Sequence, residues 1–320
     1  MEEVKPACPI CGGRVQPFLS GLYDDRFGYP GLYSVSGCRA CGHRRLQAAF
    51  APDELTRQYS DFYPRSILNL ESFKPYSEVR GLRSWFGGER ASAYTWVPKD
   101  VRVLDIGCGF GETLAYHKAR GCDAHGVEAD ENILRVGERY GLNVIAGLFD
   151  PKRYEPESFD YVTLDQVIEH VADPQEFMAG VASILKPGGV VILSTPNSHS
   201  ANARLMGPKW INWHIPYHLQ QFSKKSLRQL ARQNGLEVGS IRTLTNSAWL
   251  RYQWMHLWTR PDPGEKSAFW DSERSGKSVR RRYRRTGHWL WRAGAFQAAT
   301  RLLDSLGMGD NYLCFLAKPR

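Results

Sequence analysis

The sequence predicts an α/β protein built on a doubly wound, largely parallel sheet, with a small cysteine-bearing module in front of it. Three observations carry that prediction. Short apolar runs alternate with helical patterns from residue 101 onward, the first run ends in the glycine loop VLDIGCGFGE (103–112), and two Cys-x-x-Cys pairs precede residue 50. A chain of 320 residues has room for one large core and a smaller module. Its 42% hydrophobic and 12% aromatic content argues against a disordered chain. No run approaches the ~20 apolar residues of a membrane span, and MEEVKPACPICGG lacks the features of a secretory signal, so the expected compartment is the cytoplasm. The net charge of +9 favours something anionic without naming it.

The first element, over 1–50, is expected to be a zinc-ribbon-like module. Cys8-Pro-Ile-Cys11-Gly and Cys38-Arg-Ala-Cys41-Gly are tight turns separated by 26 residues. Two such turns supply four sulfurs to a tetrahedral Zn²⁺. The alternatives are two disulfides, which a reducing cytoplasm disfavours, or a redox pair, which needs no second copy. His43 is a further candidate ligand. Cys108, Cys122 and Cys314 read as buried small hydrophobes. Residues 51–98 form a helical linker or cap: APDELTRQ opens a helix, and Tyr59, Phe62 and Tyr63 follow as an aromatic cluster.

The main domain is expected over 99–245 and 311–320. Strands read at 101–106, 123–130, 143–147, 159–165 and 188–196, with helices near 111–120, 131–140 and 174–185. The last helix stops at Lys186-Pro187-Gly188-Gly189. A helix near 224–234 closes at Asn234-Gly235 and leads to a strand at 236–244, and NYLCFLAKP (311–319) is the seventh strand. In such a sheet, ligands sit at the carboxyl ends of the strands.

The glycine loop shows what kind of ligand is expected there. Its spacing, Gly107-x-Gly109-x-Gly111, brings the third glycine one residue earlier than the dinucleotide fingerprint does, and Glu112 stands where a pyrophosphate would need positive charge. Glu128 ends the second strand 17 residues after Gly111, placed to accept both hydroxyls of a ribose. Asp105 lies below the glycines, placed to orient a cationic amine. An adenosine with an amino-acid tail and no phosphate fits this set, as S-adenosyl-L-methionine does.

Four segments in order, VLDIGCGFG, VEAD, FDYVTLDQVIEHVADP and LKPGGVVILSTPN, resemble class I S-adenosylmethionine-dependent methyltransferases. The resemblance covers roughly 100–245 and returns at 311–319. It implies a Rossmann-like seven-stranded sheet, with Asp105, Gly107, Gly109 and Gly111 along the methionine part and Glu128 on the ribose. Leu148 and Phe149 would cover and hydrogen-bond the adenine. Many relatives have Asp where Leu148 stands, so the adenine amine would rely on backbone or on Asp150. Asp165 and Gln166 would face the sulfonium. Each of these also has a plain reading as a helix cap or loop residue.

On the acceptor side, a hydroxyl benefits from a base. Gln166-Val-Ile-Glu169-His170 resembles the metal-binding Glu-x-x-Glu-His of ubiquinone-pathway O-methyltransferases and small-RNA 2′-O-methyltransferases. Gln166 in place of the first Glu weakens the metal reading, and leaves His170 as a base or as a packed helix residue. WINWHIPYHLQQFS (210–223) offers His218, favoured as base, and His214, among Trp210, Trp213 and Tyr217, whose rings suit stacking. A purely structural aromatic loop is the alternative.

Residues 246–310 separate the last two strands as a basic, aromatic, helical insert with 12 Lys and Arg against 6 Asp and Glu. It reads as a solvated lid, as a peripheral surface for anionic head groups or a lipid-linked saccharide on the inner membrane face, or as a nucleic-acid surface. No RNA-binding fingerprint accompanies it. Four cysteines ahead of this catalytic pattern resemble bacterial enzymes of deoxysugar and polysaccharide biosynthesis. The resemblance implies O-methylation of a saccharide or related small metabolite, nucleotide- or lipid-linked in some cases. RNA or protein methylation is the alternative, and a non-catalytic binding protein is a third.

Overall fold

The structure, a computed structural model, describes residues 7–63, 70–270 and 287–320. The Arg280–Arg285 cluster of the insert lies outside the described residues. Seven strands form the central sheet: β4 (Arg102–Ile106), β5 (Asp123–Glu128), β6 (Asn143–Ala146), β7 (Phe159–Asp165), β8 (Leu185–Pro196), β10 (Glu237–Thr243) and β11 (Asn311–Ala317). Their order is β10-β11-β8-β7-β4-β5-β6. The pairs from β8 through β6 are parallel, and β11 joins β8 and β10 antiparallel. The chain turns one way from β4 to β5 and the other way to reach β7. A crevice therefore opens at the carboxyl end of β4, where the glycine loop begins.

The strands are apolar because both faces are covered. One face packs α5 (Pro174–Ile184) and α7 (Lys224–Gln233) through Leu104, Met178, Val181, Leu193 and Leu227. The other packs α3 (Glu112–Lys118) and α4 (Asn132–Tyr140) through Val103, Leu114, Ile133 and Ile192. Local signals set the helix ends. Asp173 caps α5 by accepting from the Gln175 and Glu176 amides at 2.9 and 3.1 Å, with Pro174 in the first turn. One boundary differs from expectation. Helix α5 stops at Ile184, and β8 starts at once at Leu185. Lys186–Gly189 is a bulge inside the strand, where pairing jumps from Phe159↔Leu185 to Tyr161↔Val190.

The cysteine segment joins the rest of the chain through a strand pair and a shared core. β1 (Val15–Leu22), β2 (Tyr33–Cys38) and β3 (Arg44–Leu46) form an antiparallel meander, and β9 (Gln220–Gln221) continues it by pairing with β3. Cys8, Cys38 and Cys41 share a core with the main sheet. The linker holds α1 (Pro52–Arg57), a single π-turn over Gln58–Phe62 and α2 (Gly81–Gly87). In the insert, α6 (Ala201–Met206) having come earlier in the chain, α9 (Ala295–Ser305) packs on edge strand β10 and on α8 (Ala248–Thr259), which also meets the Ile211–Trp213 turn. An Arg301–Asp304 ion pair at 2.7 Å and Thr245 bonds to Asp304 at 2.9 Å hold α9 in place. Trp258 and Trp289 stay exposed. Among the described residues no helix is long and apolar enough to cross a membrane.

Candidate active site

Gly107, Gly109 and Gly111 all have left-handed backbones, with φ of 75°, 56° and 83°. At Gly107 a Cβ would also lie 2.6 Å from Val167 Cγ2, so the loop closes tightly over the start of the β7 loop. Glu128, at the end of β5, accepts the Gly109 amide at 2.9 Å and the Asp130 amide at 3.1 Å, one on each carboxylate oxygen. Each oxygen keeps a lone pair for a further donor. Asp105 sits beneath the loop, 4% exposed. Thr163 donates to one of its oxygens at 2.6 Å and Thr113 to the other. Burial pushes its pKa up to about 6, against the pull of those two hydroxyls. Through these two hydroxyls its side chain ties the start of α3 to β7 beneath the loop.

Beyond β6, Leu148 is 81% exposed. Phe149 is half-buried, stacking on Tyr154 at 6.0 Å and meeting Phe177 edge-on at 5.4 Å. Asp150 accepts the Lys152 amide at 3.0 Å and caps the short turn Pro151–Arg153, so its carboxylate has a structural task. Asp165 ends β7 with its carboxylate held by Ser194, Ser92 and the Ala93 amide. Gln166 adopts φ 58°, uncommon for a side chain of its size, and its amide donates at 2.9 Å to both Ser194 and Asn311.

Gln166 thus points away from Glu169 and His170, and His218 takes its place beside them. Glu169, His170 and His218 each offer a ligand atom, and these atoms lie within 4.8 Å of one another. Glu169 Oε2 accepts from Thr195 at 3.0 Å, while Oε1 is buried with no partner among the described residues. Burial pushes the Glu169 carboxyl up to about 8 and pulls His170 down to about 4. His170 Nδ1 lies 3.2 Å from the Tyr59 hydroxyl. Both His218 nitrogens are engaged: Nδ1 with the Asn212 carbonyl at 3.0 Å, and Nε2 with His214 Nδ1 at 3.3 Å. His214 Nε2 is buried and unpartnered, and desolvation holds His214 well below the usual histidine range.

The aromatic segment is not an open stacking surface. Trp210, Trp213 and Tyr217 are 1–3% exposed. Trp213 Nε1 donates to the Gly207 carbonyl at 2.8 Å, and Tyr217 packs on Tyr63 at 5.2 Å. Tyr217, Phe27 and Tyr59 form the wall of the histidine cluster, whereas Trp210 and Trp213 pack into the core beneath β1–β3. Arg26 completes that wall, and the sequence reading missed it because ‑DDRFG‑ reads as an ordinary loop. It is 5% exposed, donates to the Ile211 carbonyl, and lies 4.6 Å from the Trp270 ring centre.

The four paired cysteines converge. Cys8 and Cys41 Sγ are 3.6 Å apart, Cys11 and Cys38 Sγ are 3.4 Å apart, and all four sulfurs fall within 4.8 Å. These separations far exceed a disulfide bond and approach the ~3.8 Å between sulfurs each about 2.3 Å from a tetrahedral zinc. His43 stands apart, with Nε2 on Gln220 Oε1 at 3.0 Å.

Comparison with known proteins adds a family. Residues 55–241 match the family model described as a methyltransferase domain. A ubiquinone biosynthesis O-methyltransferase of Ralstonia nicotianae is 31% identical over 60% of this chain and 84% of its own length. One of Thiobacillus denitrificans is 30% identical over 54% and 78%. These relatives are named for ubiquinone biosynthesis, and not for the saccharide pathways the cysteine pattern suggested. A crystal structure of a SAM dependent methyltransferase from Archaeoglobus fulgidus is 20% identical at a TM-score of 0.44, covering 75% of this chain and 96% of that one.

Proposed function

Since the chain belongs to the class I S-adenosylmethionine-dependent methyltransferase family, we propose that this enzyme transfers the donor's methyl group to a hydroxyl oxygen of a small molecule. The carrying observation is the convergence of Glu169, His170 and His218 beside the end of β7. In this reading Glu128 takes the ribose hydroxyls, the glycine loop lets the backbone approach the methionine, and Asp105 keeps the loop in shape through Thr113 and Thr163. The adenine lies by exposed Leu148 and the backbone that follows it.

The donor set of Glu169, His170 and His218 fits a divalent cation, and the unpartnered Glu169 Oε1 supports that fit. When bound, such a cation lowers the pKa of a coordinated hydroxyl. His218 Nδ1 donates to the Asn212 carbonyl, which orients the ring and leaves the Nε2 lone pair for a cation, a ligand's arrangement in place of the free base expected from sequence. The unpartnered His214 Nε2 is the acceptor open to the hydroxyl proton as the methyl carbon leaves sulfur and bonds oxygen in line, and because burial disfavours the charged ring that proton is passed on. Zinc held by Cys8, Cys11, Cys38 and Cys41 is structural in this account, with no position left for substrate.

A saccharide or related metabolite remains the proposed acceptor class. The test is to incubate the protein with methyl-labelled donor and a small-molecule extract, then locate the label by NMR. Label on an ether oxygen supports the reading; label on nitrogen, carbon, RNA or protein alone defeats it.

A further inference from the structure

A second feature lies on the other side of Gln166. A cleft of about 200 Å³ opens between the ends of β7, β8 and β11 and the start of α8. We propose that it binds a neutral, polyhydroxylated ring, the body of the acceptor; this rests on the methyl-transfer reading above and names its substrate class. The cleft borders Asp165 and Gln166, the two residues that the family resemblance puts at the sulfonium. Asn212 links it to the histidine cluster, because its side chain lines the cleft while its carbonyl holds His218 Nδ1.

The lining groups decide the chemistry. Two carboxylates are present, Asp165 and Asp310, and both are already satisfied. Asp165 accepts from Ser194, Ser92 and the Ala93 amide; Asp310 accepts from Ser200, Asn202 and Trp210. What remains for a ligand is neutral. The Asn212 side-chain amide is 91% buried by residue and has no hydrogen-bond partner among the described residues. Gln166 Oε1 and Asn246 Nδ2 are likewise unengaged, since the Gln166 amide nitrogen serves Ser194 and Asn311 and Asn246 Oδ1 caps α8 at the Ala248 amide. Half-buried Trp249 adds one broad ring.

No lysine, arginine or histidine lines the cleft among the described residues. A phosphate or carboxylate would therefore meet two carboxylates and no counter-charge. A flat phenolic ring would leave the Asn212, Asn246 and Gln166 groups without partners, which a buried site penalises. A ring carrying several hydroxyls satisfies all three and lays its C–H face on Trp249.

Methyl transfer from labelled donor is measured with a panel of neutral methyl glycosides, the matching sugar phosphates, and a catechol. Trp249→Ala, Asn212→Leu and Asn246→Asp, the last keeping the helix cap, are compared with wild type, with folding checked by thermal melts. We expect label on a neutral glycoside and a KM raised about tenfold or more in at least two of the variants, with donor Kd from calorimetry within about twofold of wild type. Label confined to sugar phosphates or the catechol overturns the inference. So does a donor Kd that weakens as much as the KM, because the cleft would then belong to the cofactor. Intact donor binding with an unlabelled glycoside panel defeats this inference alone, whereas loss of donor binding in the wild type defeats the parent reading together with it.

Discussion

Replacing Glu128 with alanine removes the carboxylate that the account places on the donor's ribose. Hydrogen bonds to a charged group contribute about 1.5–3 kcal/mol each, and part of that returns when water fills the space. Two such bonds give a net loss of about 2–4 kcal/mol, or roughly 30- to 700-fold in Kd at 1.4 kcal/mol per tenfold. In the free protein the same change releases the Gly109 and Asp130 amides, held at 2.9 and 3.1 Å. Gly109 is exposed, so water replaces that bond at little cost to stability. Titration calorimetry with S-adenosylhomocysteine, alongside a thermal melt of the free protein, separates the two effects. Glu128→Gln, which keeps one oxygen acceptor, should fall between wild type and alanine. A Glu128→Ala Kd within threefold of wild type, or tighter binding of NAD than of the methionine nucleoside, would refute the reasoning.

Other changes test other parts. Cys8→Ser should lower zinc to well below one per chain and destabilise the fold, because metal binding and folding are linked and Cys8 shares the core of the main sheet; a metal-free, fully stable variant would contradict this. Gly107→Ala should cost about 1–3 kcal/mol in thermal stability, from its φ of 75° and the 2.6 Å approach to Val167; an unchanged melt would show that the loop is loose. Asp105 has its pKa raised by burial from the ordinary 3.8 to about 6. The folded chain therefore holds an extra proton between those values, and this contribution to stability is lost as pH rises through them, by up to about 3 kcal/mol. Asp105→Asn should flatten the free protein's stability between pH 4 and 6 relative to wild type, and an unaltered slope would place the titration elsewhere.

Much of this was legible in the sequence, and the exceptions have physical causes. The central strands β4, β7, β8 and β11 announced themselves as apolar runs because a sheet covered on both faces needs them. Glu128 and the glycines were readable because their spacing is local to one strand–turn–helix unit. The early start of β8 was hidden because Pro187, Gly188 and Gly189 signal a stop, and a bulge uses the same residues. The joining of the cysteine segment to β9 was not readable, since two residues, Gln220 and Gln221, carry the pairing. The contacts of Asp150 and Phe149, a cap on the Lys152 amide and a stack on Tyr154, depend on neighbours that spacing does not reveal. The histidine cluster needed the structure most. Gln166 seemed to break a metal motif, but its left-handed backbone turns it to Asn311, and His218, distant in sequence, fills the gap.

The central claim is that donor and acceptor are handled by separate groups, Glu128 with the glycine loop on one side and Glu169, His170 and His218 on the other. Steady-state methyl transfer by Glu169→Gln and His218→Ala, paired with donor titrations on the same preparations, tests it most directly. In each variant kcat/KM should fall by ~10²–10⁴, with donor Kd within about twofold of wild type. Full turnover in both variants, or donor affinity lost in step with turnover, would contradict it.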